Sequence, residues 1–370
     1  MPGTVRFRFS PLVYLLLGLA GLDPVSVPAA GEERPQQAKF KDQFLKLCDE
    51  SCPILRQQAR AAEKGKRVFY MDSYVVRALM TAHDMTGKQD YFDASKLWCD
   101  RMLEYQRGMI PAGAYYMQYG RKPGEDKGDW YSADSSSIGL GVLAVSVRAT
   151  DLGQKQRYLD SVKAFFKLVA DRFVRPSGGV TDGYWPKSND EWWCSTGIFG
   201  SLAFHLYAET RDEIYLRTGL GTIDWLNRQD LLGMKDYAMP IVLMYSLEAY
   251  SASLPYLQAY TPRRTAALDQ LARIHQWILK NRGGHSGIEY ASWAGSKSAG
   301  LPFHLYVFAR FVPDHEKLVN AADEELRYIG DLLEKNPLAK NRGHLAAFAL
   351  VSYAEKLCPG SIDRPSKRQR

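Results

Sequence analysis

Along most of the chain, apolar and polar positions come in blocks rather than in strict alternation. Segments crowded with small and apolar side chains are each followed, after a turn, by a segment whose apolar positions recur on one helical face. The apolar segments are Val68–Thr86, Asp134–Thr150, Thr196–Thr210, Tyr237–Ser253, Ser298–Phe311 and Asn341–Cys358. The amphipathic segments that follow them are Tyr91–Gln106, Lys155–Phe173, Glu213–Asn227, Arg263–Asn281 and His315–Lys335. Phe40–Lys64 supplies a further amphipathic helix at the start, with Pro53 expected to kink or divide it.

A helix that is apolar all round is buried on every side, whereas a helix with one apolar stripe lies on the outside of a core. The pattern therefore predicts an all-α chain of twelve helices in six hairpins, closed into an (α/α)6 toroid with the apolar helices as its inner ring. Internal similarity at a period of roughly 50 residues fits a repeat architecture.

The connections are unequal. Thr86-Gly87-Lys88-Gln89-Asp90 and Thr210-Arg211-Asp212 are short, and each leads from an apolar helix to the amphipathic helix after it. Gly108–Ala133, Arg175–Ser195 and Gly283–Lys297 are long, precede apolar helices, and so share one end of the ring. Long loops without structure of their own are uncommon unless they are functional. These three carry Trp130, Tyr131, Trp185, Trp192, Trp193 and Trp293, together with Tyr115, Tyr116, Tyr119 and Tyr290. Aromatic rings beside carboxylates suit a sugar, whose apolar face stacks on indole while its hydroxyls seek polar acceptors. Carboxylates at the same end are Asp72, Asp129, Asp134, Asp182, Asp190, Glu191, Asp236 and Glu289. Glycoside chemistry asks for a protonated acid and a second carboxylate flanking the reacting bond.

One stretch concentrates these features: Gly128-Asp129-Trp130-Tyr131-Ser132-Ala133-Asp134, running into the apolar helix that continues to Ala144. An aspartate at that position suits two roles, a cap for the N–H groups of Ser136 or Ser137, or an acid at the mouth of a pocket. Asp72, in Tyr70-Met71-Asp72-Ser73-Tyr74, stands at the same point of the preceding apolar helix.

Six such hairpins, with Asp72 followed by Ala78, Leu79, Ala82 and the turn Met85-Thr86-Gly87, and with Asp134 heading the next inner helix, resemble the six-hairpin glycosidases. Within that superfamily the chain is similar to glycoside hydrolase families 88 and 105, the unsaturated glucuronyl and rhamnogalacturonyl hydrolases, over roughly residues 38–358. Two departures are Met71 in place of the histidine that often precedes the first aspartate, and the run Ser135-Ser136-Ser137 after the second. The resemblance implies a glycoside hydrolase that hydrates the 4,5-double bond of an unsaturated uronic acid. Asp134 would then be general acid and base, Asp72 would position substrate or tune its partner, and Asp129 is the alternative to Asp134. Lys297, Arg342 and His344 are candidates for holding the uronate carboxylate. Other readings remain open: a polysaccharide lyase on the same toroid, with Tyr131 or His344 as base, or a glycan-binding protein without a working acid.

Composition narrows the partners. Arg6 and Arg8 precede the apolar run Leu12–Leu22, and Val27-Pro28-Ala29 offers small residues for cleavage, the pattern of a secretory signal over residues 1–29. The expected organisation is then a polar leader over 30–39, one catalytic domain over 40–358 and a disordered basic tail over 359–370, in a protein exported to the periplasm or beyond with no later membrane span. The formal charge of +7 suits an acidic oligosaccharide as partner, while no nucleic-acid motif is present. No metal or cofactor is expected, because the seven histidines form no metal-binding pair with cysteine, and His205 and His304 read as core histidines inside apolar helices. Five cysteines leave at least one unpaired, and Cys48 or Cys52 with Cys358 is the disulfide to test, against buried free thiols.

Overall fold

Segments that are apolar on every face become helices buried on every face. The computed structural model describes residues 35–60, 68–184, 190–233, 239–259, 261–281, 295–313, 315–335 and 342–364. Among these residues the chain forms α1 (Pro35–Arg60), α2 (Phe69–Thr86), α3 (Gln89–Arg107), α4 (Ser132–Ser146), α5 (Leu152–Arg172) and α6 (Trp193–Thr210). It continues through α7 (Glu213–Leu226), α8 (Met239–Ser253), α9 (Pro262–Asn281), α10 (Leu301–Ala309), α11 (His315–Lys335) and α12 (Arg342–Leu357). A 3-10 turn over Gly295–Gly300 leads into α10. The even-numbered helices pack in sequence, α2 on α4, α4 on α6, α6 on α8, α8 on α10 and its preceding turn, α10 on α12, and α12 closes on α2. The ring of the sequence reading is thus observed, with the odd-numbered helices outside it.

Small side chains let the inner helices approach. A Cβ on Gly197 of α6 would lie 2.3 Å from the Tyr245 carbonyl oxygen of α8, so only glycine fits there. In α4 the serines that look out of place in an apolar helix return their hydroxyls to the backbone. Ser136 Oγ donates to the Ser132 carbonyl at 2.7 Å, and Ser132 Oγ to the Thr181 carbonyl at 2.7 Å. Each buried hydroxyl is thereby paired.

Beneath the mouth, the centre of the ring is polar and closed. Arg77 of α2 forms bidentate pairs with Glu248 of α8, at 2.9 and 3.2 Å, and with Asp363 beyond α12, at 2.7 and 2.9 Å. Arg77, Glu248 and Asp363 are all buried. Burial alone would raise the Asp363 carboxyl, but Arg77 and His205 outweigh it and hold the group well below the usual carboxylate range. His205 Nε2 lies 3.1 Å from Asp363 Oδ2, so this histidine inside an apolar helix is satisfied by a buried carboxylate. His304 is buried in α10, with Nδ1 2.9 Å from Ser251 Oγ.

Three expectations change, and the open alternative between a disulfide and free thiols is decided. Residues 359–364 are no tail: Ser361, Ile362 and Asp363 are buried, Arg77 pairs with Asp363, and Arg148 donates to the Ser361 carbonyl; residues 365–370 lie outside the described residues. The leader is helical from Pro35 onward. Pro53 neither ends nor divides α1, because it faces solvent while Cys48, Cys52, Leu55 and Ala59 anchor the opposite face on both sides of it. The five cysteines are free thiols, with Cys48, Cys52, Cys99 and Cys194 buried, and Cys358 is not joined to Cys48 or Cys52. The signal sequence over 1–29 lies outside the described residues, among which no helix is long and apolar enough to cross a membrane.

The closing contact is testable. Truncation after Cys358 removes Asp363 and leaves the buried Arg77 short of one carboxylate. Denaturant unfolding should show a loss of about 3–5 kcal/mol. An unchanged midpoint would mean that the segment only decorates the ring.

Candidate active site

The loop end of the ring is organised by one short extended segment. Residues 180–184 run beside the entry to α4: Tyr131 and Gly183 pair as an antiparallel bridge, Ser132 N–H donates to the Asp182 carbonyl at 2.8 Å, and Tyr184 N–H to the Trp130 carbonyl at 3.0 Å. Gly183 has φ +115° and a Cβ there would meet the Trp130 carbonyl oxygen at 2.4 Å. Glycine at 183 therefore allows the segment to press against the start of α4 and sets the position of Asp182.

Asp134 occupies the first turn of α4. It is not the cap: Tyr131 holds that position, no side chain caps the helix, and the Asp134 carboxylate makes no hydrogen bond among the described residues. Half-buried, it remains reachable. Burial raises its pKa to about 7, Lys297 pulls it back down, and Asp182 adds a further upward push. Asp182 is itself raised to about 6 by burial, against the opposing hydrogen bond that Ser195 Oγ donates at 3.1 Å. Lys297, buried in the turn before α10, is lowered to about 8 by burial, with Asp134 and Cys194 favouring its charged form. Its Nζ lies 5.8 Å from the Tyr70 ring centroid and 5.9 Å from that of Phe348. The site is thus an acid, a second carboxylate and an ammonium, brought together from the starts of α4 and α10 and the segment before α6.

Tyr70 and Tyr74 of α2 continue the lining downward. Tyr74 packs 4.6 Å from Phe348 and 5.4 Å from the Arg77 guanidinium, which joins the site to the closed centre. Tyr245 of α8 feels Tyr70, Tyr74, Asp134 and Cys194, and burial raises its hydroxyl well above the ordinary value.

The expected site residues divide. Asp134 and Lys297 come together, and Trp192 stands 41% exposed at the start of α6, against Trp193 at 6.4 Å. Tyr131 is half-buried beside Tyr119, and its hydroxyl donates to Asp129 at 3.5 Å. Asp129 is half-buried at the rim. Asp72 does not join them. Its side chain is fully buried and accepts from Gln58 Nε2 of α1 at 2.8 Å, and the charges that shift Asp134 are Lys297 and Asp182. Two positions from Tyr70 on a helix is about 200° of rotation, which turns Asp72 toward the outer layer. Trp130 is fully buried among Phe165, Phe173 and Tyr184, and donates to the Tyr115 carbonyl at 3.1 Å, so it is packing rather than a sugar platform. Arg342 donates to Glu50 of α1 at 2.9 Å and so joins the α12–α1 seam. His344 is half-buried in the first turn of α12. Trp185, Trp293, Tyr290, Glu289 and Asp236 lie outside the described residues.

No family model matches the sequence, and no curated protein matches it either. Solved structures do. An inactive variant of the α-1,6-mannanase GH76A of Salegentibacter sp. HEL1_6, altered at two adjacent aspartates and complexed with α-1,6-mannotetrose, is 12% identical, with TM-score 0.58 over 86% of this chain and 99% of that one. A polysaccharide lyase is 13% identical, with TM-score 0.58 over 87% and 97%. An unsaturated glucuronyl hydrolase from a Streptococcus agalactiae source is 8% identical, with TM-score 0.59 over 86% and 93%. The chain has the (α/α)6 toroid fold of these enzymes. That fold explains why the site lies at the loop end: each inner helix of the toroid begins there, so their first turns converge.

The raised Asp134 has a stability consequence. Between the unfolded carboxyl value near 4 and about 7 in the folded chain, the native state holds a proton that the unfolded state has lost, so stability falls as pH rises through that window. Asp134→Asn should raise the melting temperature at pH 8 by about 2–4 °C, with the gain vanishing near pH 4. A gain that is independent of pH would contradict the assignment.

Proposed function

We propose that the chain is an exported glycan-processing enzyme that acts on a uronic-acid-containing oligosaccharide at the loop end of the toroid. Asp134 is the general acid and base, and Lys297 receives the substrate carboxylate. The observation that carries this reading is the Asp134 carboxyl: reachable, raised to about 7, and flanked by the Lys297 ammonium and the Asp182 carboxyl. An acid is most useful when its pKa lies near the working pH. Export rests on Arg6, Arg8 and the apolar run that follows them.

The chemistry favoured is hydration of a 4,5-unsaturated uronide. Asp134 gives its proton to C4, the ring oxygen supports the positive charge left at C5, and water adds there while returning its proton to the Asp134 carboxylate. The resulting hemiketal opens and releases the neighbouring sugar. Lys297 offsets the uronate charge, which otherwise repels Asp134 in its basic state. The role first expected of Asp72, tuning the acid, falls to Asp182.

Two alternatives from the same fold are less well supported. The mannanase was inactivated at two adjacent aspartates, and this chain contains no Asp-Asp pair. A lyase needs a base that gives up its proton readily, whereas burial, then Asp129 and Asp182, raise the Tyr131 hydroxyl to about 12.

Incubation with a lyase-digested polyuronate should make the ultraviolet absorbance of the conjugated double bond fall, and Asp134→Asn should slow that fall roughly a hundredfold to ten-thousandfold. A rise in absorbance with intact polymer would establish a lyase instead.

The pH–rate profile gives a signed test of the neighbours. Activity should decline as pH rises through about 7, where Asp134 loses its proton. Lys297→Met removes a cation that lowers the Asp134 pKa, so the limb should move to higher pH while KM for uronides rises. Asp182→Asn removes a like charge, so the limb should move to lower pH. Movement of both variants in the same direction would refute the arrangement.

A further inference from the structure

The segment 180–184 has two sides. Side chains alternate along an extended strand, and Asp182 faces Ser195 and Asp134 while Thr181 and Gly183 line a separate groove on the other side. This groove, of about 470 Å³, is walled by Arg121, Lys127, Arg172, Arg175 and Tyr184 as well.

Its charge is unbalanced. Four cations face two carboxylates, Asp126 and Asp129, and among the described residues none of the four cations is ion-paired. Elsewhere on the molecule buried arginines meet carboxylates, as Arg77 and Arg148 do. Arg121 is the exception. It is only 7% exposed, its Nη1 donates to the Ile110 carbonyl at 3.2 Å, and among the described residues its buried Nε has no partner. Its guanidinium lies 4.3 Å from the Tyr184 ring centroid, and Arg172 Nη1 donates to the Tyr184 hydroxyl at 3.0 Å. The ring therefore orders two of the cations along one wall. Burying a guanidinium N–H without an acceptor is unfavourable, and an oxyanion entering the groove supplies one.

We propose that this groove is an anion subsite for the distal part of an acidic glycan whose end unit sits at Asp134, an inference that rests on the glycan reading of that site. The ligand chemistry is an oxyanion on a sugar ring, either a uronate carboxylate or a sulfate ester. The groove and the Asp134 site share the 180–184 segment as a wall, so one extended chain crossing that segment occupies both. The groove then contributes affinity and length preference without touching the reacting bond.

The test separates the subsite from the chemistry by measuring binding in the Asp134→Asn protein, calorimetrically, with three probes of matched length: oligogalacturonate, sulfated dextran oligomers and neutral dextran oligomers. The triple substitution Lys127→Gln, Arg172→Gln, Arg175→Gln should weaken oligoanion binding by about tenfold or more at low salt, and leave neutral binding and the melting temperature unchanged. The preferred probe, galacturonate or sulfate, identifies the oxyanion. In the otherwise wild-type protein the same triple variant should retain full turnover of an unsaturated disaccharide and lose only the preference for longer chains. Unchanged oligoanion affinity in the triple variant, or tighter binding of a single-stranded oligonucleotide than of either charged glycan, overturns the proposal. Groove-dependent binding in a protein that turns over no glycan would sustain the subsite and sink the catalytic reading, whereas turnover with groove-independent binding would do the reverse.

Discussion

The two carboxylates that meet on Arg77 hold the molecule's centre. α2 and α8 stand on opposite sides of the inner ring, and the pair between Arg77 and Glu248 spans it. Asp363 reaches the same guanidinium from beyond the last helix and plugs the far end. A buried guanidinium is tolerable only when its donors are matched. Fork geometry toward two carboxylates matches four of its five N–H groups, through Nε, Nη1 and Nη2. The guanidinium thereby ties the far end of the ring together, away from the loop end where the inner helices begin.

That asymmetry creates the site. Above Arg77 the lining passes through Tyr74 to Asp134, Lys297 and Asp182, where the first turns of the inner helices converge. Partial desolvation does to these three groups what it does to any charge, favouring the neutral form. The result is a carboxylic acid near neutral pH beside an ammonium whose own pKa has dropped to about 8. The ion pairs below and the desolvation above are consequences of one packing arrangement.

Much of the fold was legible in the sequence because burial on all sides leaves a composition signature. The six apolar segments correspond to α2, α4, α6, α8, α10 and α12, and Gly, Ala and Ser within them mark the close approach of neighbouring helices. Side-chain direction was harder. Asp72 heads the first inner helix as Asp134 heads the second, yet Tyr70, Tyr74, Arg77 and Thr81 define the face of α2 that looks inward, and Asp72 is out of phase with it. Asp182 was one loop carboxylate among several. Its importance comes from the bridge between Tyr131 and Gly183, a pairing across a long sequence separation that no local pattern encodes. The buried end of the chain was hidden for a similar reason: Ser361-Ile362-Asp363 precedes a run of basic residues and reads as solvated, until Arg77, far away in sequence, supplies its partner.

The central claim is that Asp134 holds a proton near neutral pH because of where α4 begins. Its most direct test is a difference infrared titration, wild type against Asp134→Asn, that follows the protonated carboxyl stretch with pH. A band is expected that is lost from the wild type with a midpoint near 7 and is absent from the variant. A midpoint near 4, the ordinary carboxyl value, would contradict it.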